Sequence, residues 1–437
     1  MSPPVAIKAV PRPDFQALEK TSAGSSRHWK MAKLGDVAKT SSGGTPNRGN
    51  ASYYGGNISW VKSGELGDST VYETAETITE AGLKNSSAKL FPKGTLCIAL
   101  YGATIGKLGV LGMDAATNQA VCGIFLPENI DTYFAYFFLE SKRRDLVEMG
   151  KGGAQPNISQ GIIRDLEIPL PPLPEQRRIV AEIEKQFSRL EEGVGALKRV
   201  QANLKRYRAA VLKAACEGKL VPGRGDWPTT KLGEICTVLA GYGFPERLQG
   251  KRTGDLGFFK VGDISAAWQR NQKVLTQANH YISLAEAAEL RANPLPTGTV
   301  VFAKIGAAIA LNRRAIIGLP SLVDNNVMGL YPGKKIDSRF LFHFMCTQKL
   351  NDLARATTVP SIRKGDVEGI SLKLPSLAEQ ALIVSDIERR LSVVEEIESA
   401  VETNLQRATR LRQSILQKAF EGKLLKHYSS QSKEGIA

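Results

Sequence analysis

Apolar residues recur along this 437-residue chain in two rhythms, and each rhythm occurs twice. From Ile183 through Phe187, Leu190, Val194, Leu197, Val200, Leu204 and Tyr207 to Val211 the steps are threes and fours, the period of one helical face. The same steps return through Ile383, Ile387, Leu391, Val394, Ile397, Val401, Leu405, Ala408, Leu411 and Ile415. Each stretch predicts one helix of about 40 residues, roughly 60 Å at 1.5 Å per residue, too long for a small globular core. A proline closes the strand before each helix, and Gly218 and Gly422 can supply the left-handed residue that ends it. Two such helices in one chain should pair.

The stretches upstream follow the second rhythm. Over 29 to about 170 and 227 to about 373, short apolar runs such as Thr95–Ala99 and Thr299–Ala303 are punctuated by Gly, Pro, Asn and Ser, which predicts mixed, mainly β modules. Within them Thr132–Val147 and Ser338–Leu353 carry Phe and Leu at helical spacing. The glycines of Gly102–Lys107 are expected to allow tight β packing.

The two halves are copies of one another. Leu34-Gly35-Asp36-Val37 matches Leu232-Gly233-Glu234-Ile235 at an offset of 198, whereas LPPLPEQ ending at Gln176 matches LPSLAEQ ending at Gln380 at 204. Glu217-Gly218-Lys219-Leu220 and Glu421-Gly422-Lys423-Leu424 are again 204 apart, so one net insertion between about Leu66 and Ile78, in first-copy numbering, accounts for every anchor. The predicted class is α+β: two mixed α/β, mainly β modules joined by two long antiparallel coiled-coil helices in an internal pseudo-two-fold repeat. The expected boundaries are 1–28 for a flexible extension, 29–174 and 227–378 for the modules, and 175–218 and 379–422 for the helices, with a linker at 219–226 and a flexible tail at 423–437.

Charge predicts how the helices pair. Residues 175–196 sum to −1 and 197–217 to +5, while 379–400 sum to −4 and 401–421 to +2. Antiparallel packing sets the positive half of each helix against the more negative half of the other; the same order, acids first and bases last, would also complement each helix's own dipole. Over the whole chain 58 Lys and Arg face 43 Asp and Glu, for a net +15, which favours a polyanionic ligand, nucleic acid first. No apolar run reaches the roughly 18 residues needed to span a bilayer, and residues 1–28 lack a secretory core, so the expected location is the cytoplasm. The five cysteines (Cys97, Cys122, Cys216, Cys236, Cys346) contain no C-x-x-C pair and are read as reduced, buried thiols.

Catalytic chemistry finds no foothold. Gly102-Ala103-Thr104-Ile105-Gly106-Lys107 is one residue short of a phosphate loop and is followed by Leu108. No G-x-G-x-x-G follows a strand, no Asn- or Asp-Pro-Pro-aromatic string occurs, and His28, His280, His343 and His427 are scattered without a metal-ligand partner. A binding scaffold with no catalytic residue, directly bound cofactor or metal is the expectation. Its rivals are a standalone enzyme acting on nucleic acid, which would need a cofactor motif, and a coiled-coil interaction protein, which would not need +15 or two modules.

The chain resembles the DNA specificity subunits of type I restriction-modification systems from Trp29 to Leu424. The likeness rests on Ser42-Gly43-Gly44-Thr45-Pro46, Ile58-Ser59-Trp60-Val61, Tyr101–Lys107, Thr117-Asn118-Gln119-Ala120, Gly153–Ser159 and the duplicated LPxLxEQ-to-EGKL helices. The second module departs from it, with Gly243-Phe244-Pro245 for Gly-Gly-Thr-Pro and Pro360-Ser361-Ile362-Arg363 for Pro156-Asn157-Ile158-Ser159. The resemblance implies two target recognition domains, each reading half of a split DNA sequence, on a helical spacer that docks two methyltransferase subunits. Restriction motor-nuclease subunits can join, so S-adenosylmethionine and ATP/Mg are expected on partners. The expected partner ligand is double-stranded DNA. Expected contacts in the first module are Lys62, Tyr101, Lys107, Asn118, Gln119, Lys151, Gln155, Asn157 and Arg164, and in the second Lys260, Lys304, Arg313, Arg314, Asn325, Asn326, Arg363 and Lys364. Lys and Arg would mainly meet phosphate, and Asn, Gln and some Arg could meet base edges.

Overall fold

Both long helices form, each 44 residues: Leu173–Cys216 and Leu377–Phe420. They start two residues earlier than their apolar pattern predicts. Pro174 is tolerated because the N–H it lacks would have no partner in a first turn. The other start carries a sequence signal, S-x-x-E. Glu379 Oε2 accepts from the Ser376 backbone N–H (2.9 Å) and hydroxyl (2.7 Å), which closes a capping box. Both helices stop at the expected glycines, with φ of +79° at Gly218 and +73° at Gly422. The next N–H reaches back in each case, Lys219 to Ala214 O and Lys423 to Lys418 O, both at 2.8 Å.

A computed structural model describes residues 29–150, 157–220, 227–355 and 358–425. The expected extension 1–28, most of the linker and tail, and the candidates Lys151 and Gln155 lie outside the described residues. The chain divides into two units, one running to Ala196 and resuming at Asn404, the other Leu197–Thr403, so each long helix gives one half to each unit.

In the first unit a five-stranded sheet runs in the order Lys39–Ser42, Val121–Phe125, Leu96–Ala99, Leu108–Leu111, Ser69–Val71, antiparallel except for the last pair. A second sheet orders Thr77–Ile78, Tyr54–Val61, Ala115–Thr117 and Leu90–Phe91. The helix Thr132–Met149 buries Phe134, Phe137 and Phe138, and its core continues into Ile179, Val180, Ile183 and Phe187 of one long helix and Ile415, Leu416 and Ala419 of the other.

The second unit repeats the plan: Cys236–Ala240, Val327–Pro332, Val300–Ala303, Arg314–Ile317, Val274–Leu275, then Tyr281–Ile282, Leu256–Phe259, Ser321–Val323. A single bridge, Leu295 to Ser321, stands where the first unit has the strand Leu90–Phe91. The insertion is a two-turn helix, Val261–Gln269, at the place of the single 3₁₀ turn Ser63–Glu65. One predicted helix is cut short. Ser338–Thr347 ends where Gln348 turns its carbonyl to the Arg314 guanidinium (2.5 Å), and Asn312 Oδ1 takes the Leu350 N–H (2.8 Å) before a separate turn, Leu350–Leu353.

Within each unit the helix halves pair antiparallel through equivalent ions. In the first, Arg412 meets Glu191 (3.4 Å) and Glu140 (3.0 Å) and lies 3.8 Å from the centre of the Phe187 ring. In the second, Arg208 meets Glu395 (3.7 Å) and Glu398 (3.0 Å), and Lys273 also reaches Glu395 (3.5 Å). Arg208 and Arg412 are 204 residues apart, as are Glu191 and Glu395.

A glutamine at each helix start ties helix to module. Gln176, 1% exposed, accepts from the Asp131 N–H (2.8 Å) and donates to the carbonyls of Asn129 (3.1 Å) and Pro171 (2.8 Å). Gln380 repeats this with Asp337, Lys335 and Pro375 at 2.7, 2.9 and 2.9 Å. Asp131 and Asp337 cap the helices of their modules, so the latch sits between two helix starts.

Candidate nucleic-acid interface

In each module the strand ends converge on one set of loops. In the first, the chain leaves Lys39–Ser42 through Gly43 and Gly44, whose N–H groups reach Val121 O (3.2 Å) and Thr117 O (2.8 Å). A Cβ at Gly43 would lie 2.1 Å from Thr117 O and one at Gly44 2.3 Å from Ser87, so close backbone approach dictates glycine at both. Trp60 Nε1 donates to Gly44 O (3.0 Å), fixing the loop from below.

This end collects most of the first-module candidates. Asn118 donates its backbone N–H to Val61 O (2.9 Å), and its Oδ1 takes the Ala120 N–H (3.2 Å), so half of its amide is spent on the turn. Gln119 is exposed and accepts from the Thr45 hydroxyl. Lys62 follows the strand Tyr54–Val61, and its Nζ meets Glu76 (2.7 Å), whose carboxyl Lys62 and then Arg48 hold below the usual range. Tyr101, whose hydroxyl is pushed up by burial, bridges to exposed Asn157, and Lys107 lies in the same hairpin. Gly102 and Gly106 there have φ of +75° and +73°, so they serve a left-handed turn rather than the β packing expected of them.

Arg164 is not brought to this end. It closes the helix Gln160–Arg164, and its stem lies on the turn Leu34–Val37, where a Cβ at Gly35 would sit 2.8 Å from Arg164 Cβ.

The second module gathers Lys260, Lys304, Arg313, Asn325, Asn326, Arg363 and Lys364. Lys304 donates its N–H to Asn326 O (2.8 Å) and accepts from the Ile362 N–H (2.9 Å), which stitches three loops together. Asp324, its carboxyl pushed up by burial, takes the Asn326 N–H (3.1 Å) and leaves Asn325 exposed at the tip. Lys304, Arg363 and Lys364 line a cleft of 360 Å³ floored by Val238, Ala240 and Met328. Lys62 and Lys260 are equivalent, each donating its backbone N–H to a carboxylate three residues on, Glu65 or Asp263, at 2.7 Å.

Arg314 must be struck from the DNA-facing set. It is 1% exposed, and its guanidinium is spent on Asn312 O (2.9 Å), Asn312 Oδ1 (3.1 Å) and Gln348 O. The left-handed Asn312 and the turn at Gln348 draw Arg314 inward, and its neighbour Arg313 stays half-exposed.

Two features at these ends were not among the expected contacts. The Arg48 guanidinium lies over Tyr54 (4.7 Å) and Trp60 (4.8 Å) and meets Glu76 (2.5 Å). In the second module Phe244 stacks on Phe258 at 3.7 Å, with Lys260 Nζ 5.2 Å from the Phe244 ring centre. Their only sequence signal is position: Arg48 and Phe244 sit in or just after the Gly-x-Pro segments that follow the first strands.

Two like modules, each ending in basic and amide-bearing loops and each built on halves of the same two helices, define a repeat-built nucleic-acid reader. The family model for the type I restriction modification DNA specificity domain matches twice, at residues 26–197 and 224–406, and the chain belongs to that family. It recognises DNA sequence as a specificity subunit of the type I restriction-modification class. The chain is 25% identical over 436 residues to the type I restriction enzyme EcoDI specificity subunit of Escherichia coli, covering 94% of this chain and 91% of that one. It is 26% identical to the StySPI specificity subunit of Salmonella potsdam over 341 residues, 73% of this chain and 71% of the relative. The fold matches a chain from a structural study of complex assembly and conformational transition of the type I R-M system, with a TM-score of 0.74, 21% identity and coverage of 91% and 98%. It also matches the HsdS subunit from Thermoanaerobacter tengcongensis, with a TM-score of 0.55, 20% identity and coverage of 91% and 97%. Among the described residues no helix is long and apolar enough to cross a membrane.

Proposed function

We propose that this chain reads a split, asymmetric DNA target in the cytoplasm, one half per module, and docks two methyltransferase subunits that carry S-adenosylmethionine. Motor-nuclease subunits carrying ATP/Mg can join the same complex. The chain itself supplies recognition and no chemistry. The observation that carries this reading is one module plan with two different loop ends: Thr45, Gln119 and Arg48 gather in the first, and Phe244, Lys260 and a basic cleft in the second. Different side chains at equivalent places recognise different bases, so the half-sites differ. A good bidentate contact discriminates by about 1–3 kcal/mol, too little for one module to single out a genomic site, and two tethered readers multiply their selectivities. Exposed Leu382 and Val393, on the second unit's part of the C-terminal helix, support docking of a partner's apolar surface.

The test is to exchange residues 29 to about 170 for the matching module of a relative, keep both long helices, and map methylated adenines in cells that also carry the methyltransferase. One half of the methylated sequence should change and the other persist; both changing together refutes the reading. The purified chain alone should transfer no label from S-adenosylmethionine to DNA, and transfer would favour the standalone enzyme instead.

A further inference from the structure

Every arm of the Arg48 side chain that could wander is tied down. One guanidinium nitrogen meets Glu76 at 2.5 Å, and Glu76 is held from its other oxygen by Lys62 at 2.7 Å. The guanidinium carbon lies over two rings, 4.7 Å from the centre of Tyr54 and 4.8 Å from that of Trp60. Those rings are themselves anchored, since Tyr54 Oη donates to Pro46 O (2.6 Å) and Trp60 Nε1 to Gly44 O (3.0 Å). The Arg48 side chain nevertheless keeps 53% of its surface open. Among the described residues its remaining N–H groups have no partner. They stand beside the loop where Thr45 meets Gln119, within the candidate DNA-facing end.

A planar fork fixed in orientation and open on one edge suits a planar pair of acceptors. We propose that Arg48 reads a guanine in the half-site of the first module, donating to O6 and N7 in the major groove; this rests on the DNA-reading function proposed above. Guanine offers two acceptors there, whereas adenine sets an amino donor against the fork, so the arrangement discriminates. A phosphate is the poorer fit. A phosphate can be held by charge in many orientations, whereas the plane that Glu76, itself held by Lys62, imposes on the guanidinium matters only to a planar pair of acceptors. The stack also removes the rotamer entropy that a free arginine would lose on binding. In the second module Phe244 occupies the face of Phe258, the counterpart of Trp60, and Arg247, placed after Gly-x-Pro as Arg48 is, pairs with Glu289; among the described residues no arginine there is held over a ring.

The test is selection of the full-length chain against a randomised duplex-DNA pool at two salt concentrations, followed by sequencing, for the wild type, Arg48→Lys and Arg48→Met. Lysine keeps the charge without the fork; methionine keeps the rings covered without the charge. Guanine preference should fall about ten- to a hundredfold at one position, in one half of the motif, in both variants. Uniform weakening in Arg48→Met with full retention in Arg48→Lys would assign the residue to phosphate and overturn the proposal. An unchanged motif with a lowered melting temperature would make Arg48 a cover for Trp60 and also overturn it. A wild-type motif without guanine in the affected half overturns this inference alone, whereas a wild type that selects no motif defeats the DNA-reading function and the inference with it.

Discussion

Replacing Gln176 tests whether the helix is held to its module by hydrogen bonds or by packing. The side chain is 1% exposed and makes three hydrogen bonds to backbone groups of Asp131, Asn129 and Pro171. Gln176→Ala removes all three and leaves a void. At about 1 kcal/mol net per bond, with an added cavity cost, the first unit should lose about 3–4 kcal/mol. Gln176→Met keeps the volume and should still lose about 2 kcal/mol, because the buried Pro171 carbonyl and the part-buried Asp131 N–H and Asn129 carbonyl lose their partner. Gln176→Glu adds a pH signature. Its second oxygen would face two carbonyl oxygens, which disfavours the carboxylate and raises its folded-state pKa above the unfolded value. The stability of this variant is then present at acidic pH and lost as pH rises, opposite to an ion-paired carboxylate. Native-state hydrogen exchange, read on peptides spanning 127–139 and 171–180, isolates this unit from the other half of the chain. A loss below about 1 kcal/mol in both Gln176→Ala and Gln176→Met, or an equal loss around Gln380, would refute the latch.

The equivalent arginines should differ in cost. Arg412→Ala strands Glu140, whose side chain is 10% exposed, and should destabilise the first unit by about 2 kcal/mol. Arg208→Ala leaves Glu395 with Lys273 and should cost less; equal exchange-derived losses would contradict the assignment. Buried His343 has its pKa pushed down to about 4, chiefly by burial and then by Lys273 and Arg339, against which Asp337 and Glu388, 3.9 Å away, do not prevail. The neutral form is the folded one, so stability present above the unfolded pKa of about 6.5 is lost as pH falls toward 4, by up to about 3 kcal/mol. Denaturation of His343→Leu should show a flatter profile over that window, and an identical profile would clear His343 of the effect. Seven residues added at Gly193–Gly195 keep the apolar stripe in register and lengthen the helix by about 10 Å, up to about three base pairs of DNA. Methylated sites of an active insertion variant should keep both half-sites around a longer spacer, and an unaltered spacer would mean that this helix does not set the distance.

The helices and the duplication were legible because both are periodic. A 204-residue offset reveals Arg208 and Arg412 as counterparts, and summed charge already pairs them with acidic halves. The role of Gln176 was not legible, since its partners are backbone groups at 129, 131 and 171 that carry no residue-type signal. Arg313 and Arg314 look alike in sequence, and only the left-handed Asn312 and the turn at Gln348 decide which enters the core. Arg48 escaped for the converse reason: it lacks a motif of its own, and its setting exists only once Tyr54, Trp60 and Glu76 converge.

The two units also differ in when they can be finished. The second is one continuous stretch, Leu197–Thr403, whereas the first needs residues from Asn404 onward, including Ile415, Leu416, Ala419 and Phe420, to close its core. At roughly 5–20 residues per second the ribosome takes on the order of 10–40 s to make the intervening stretch. Throughout that interval Phe187 lacks the cover of Arg412, and Phe134 and Phe138 lack that of Phe420, a window in which a chaperone has something to hold.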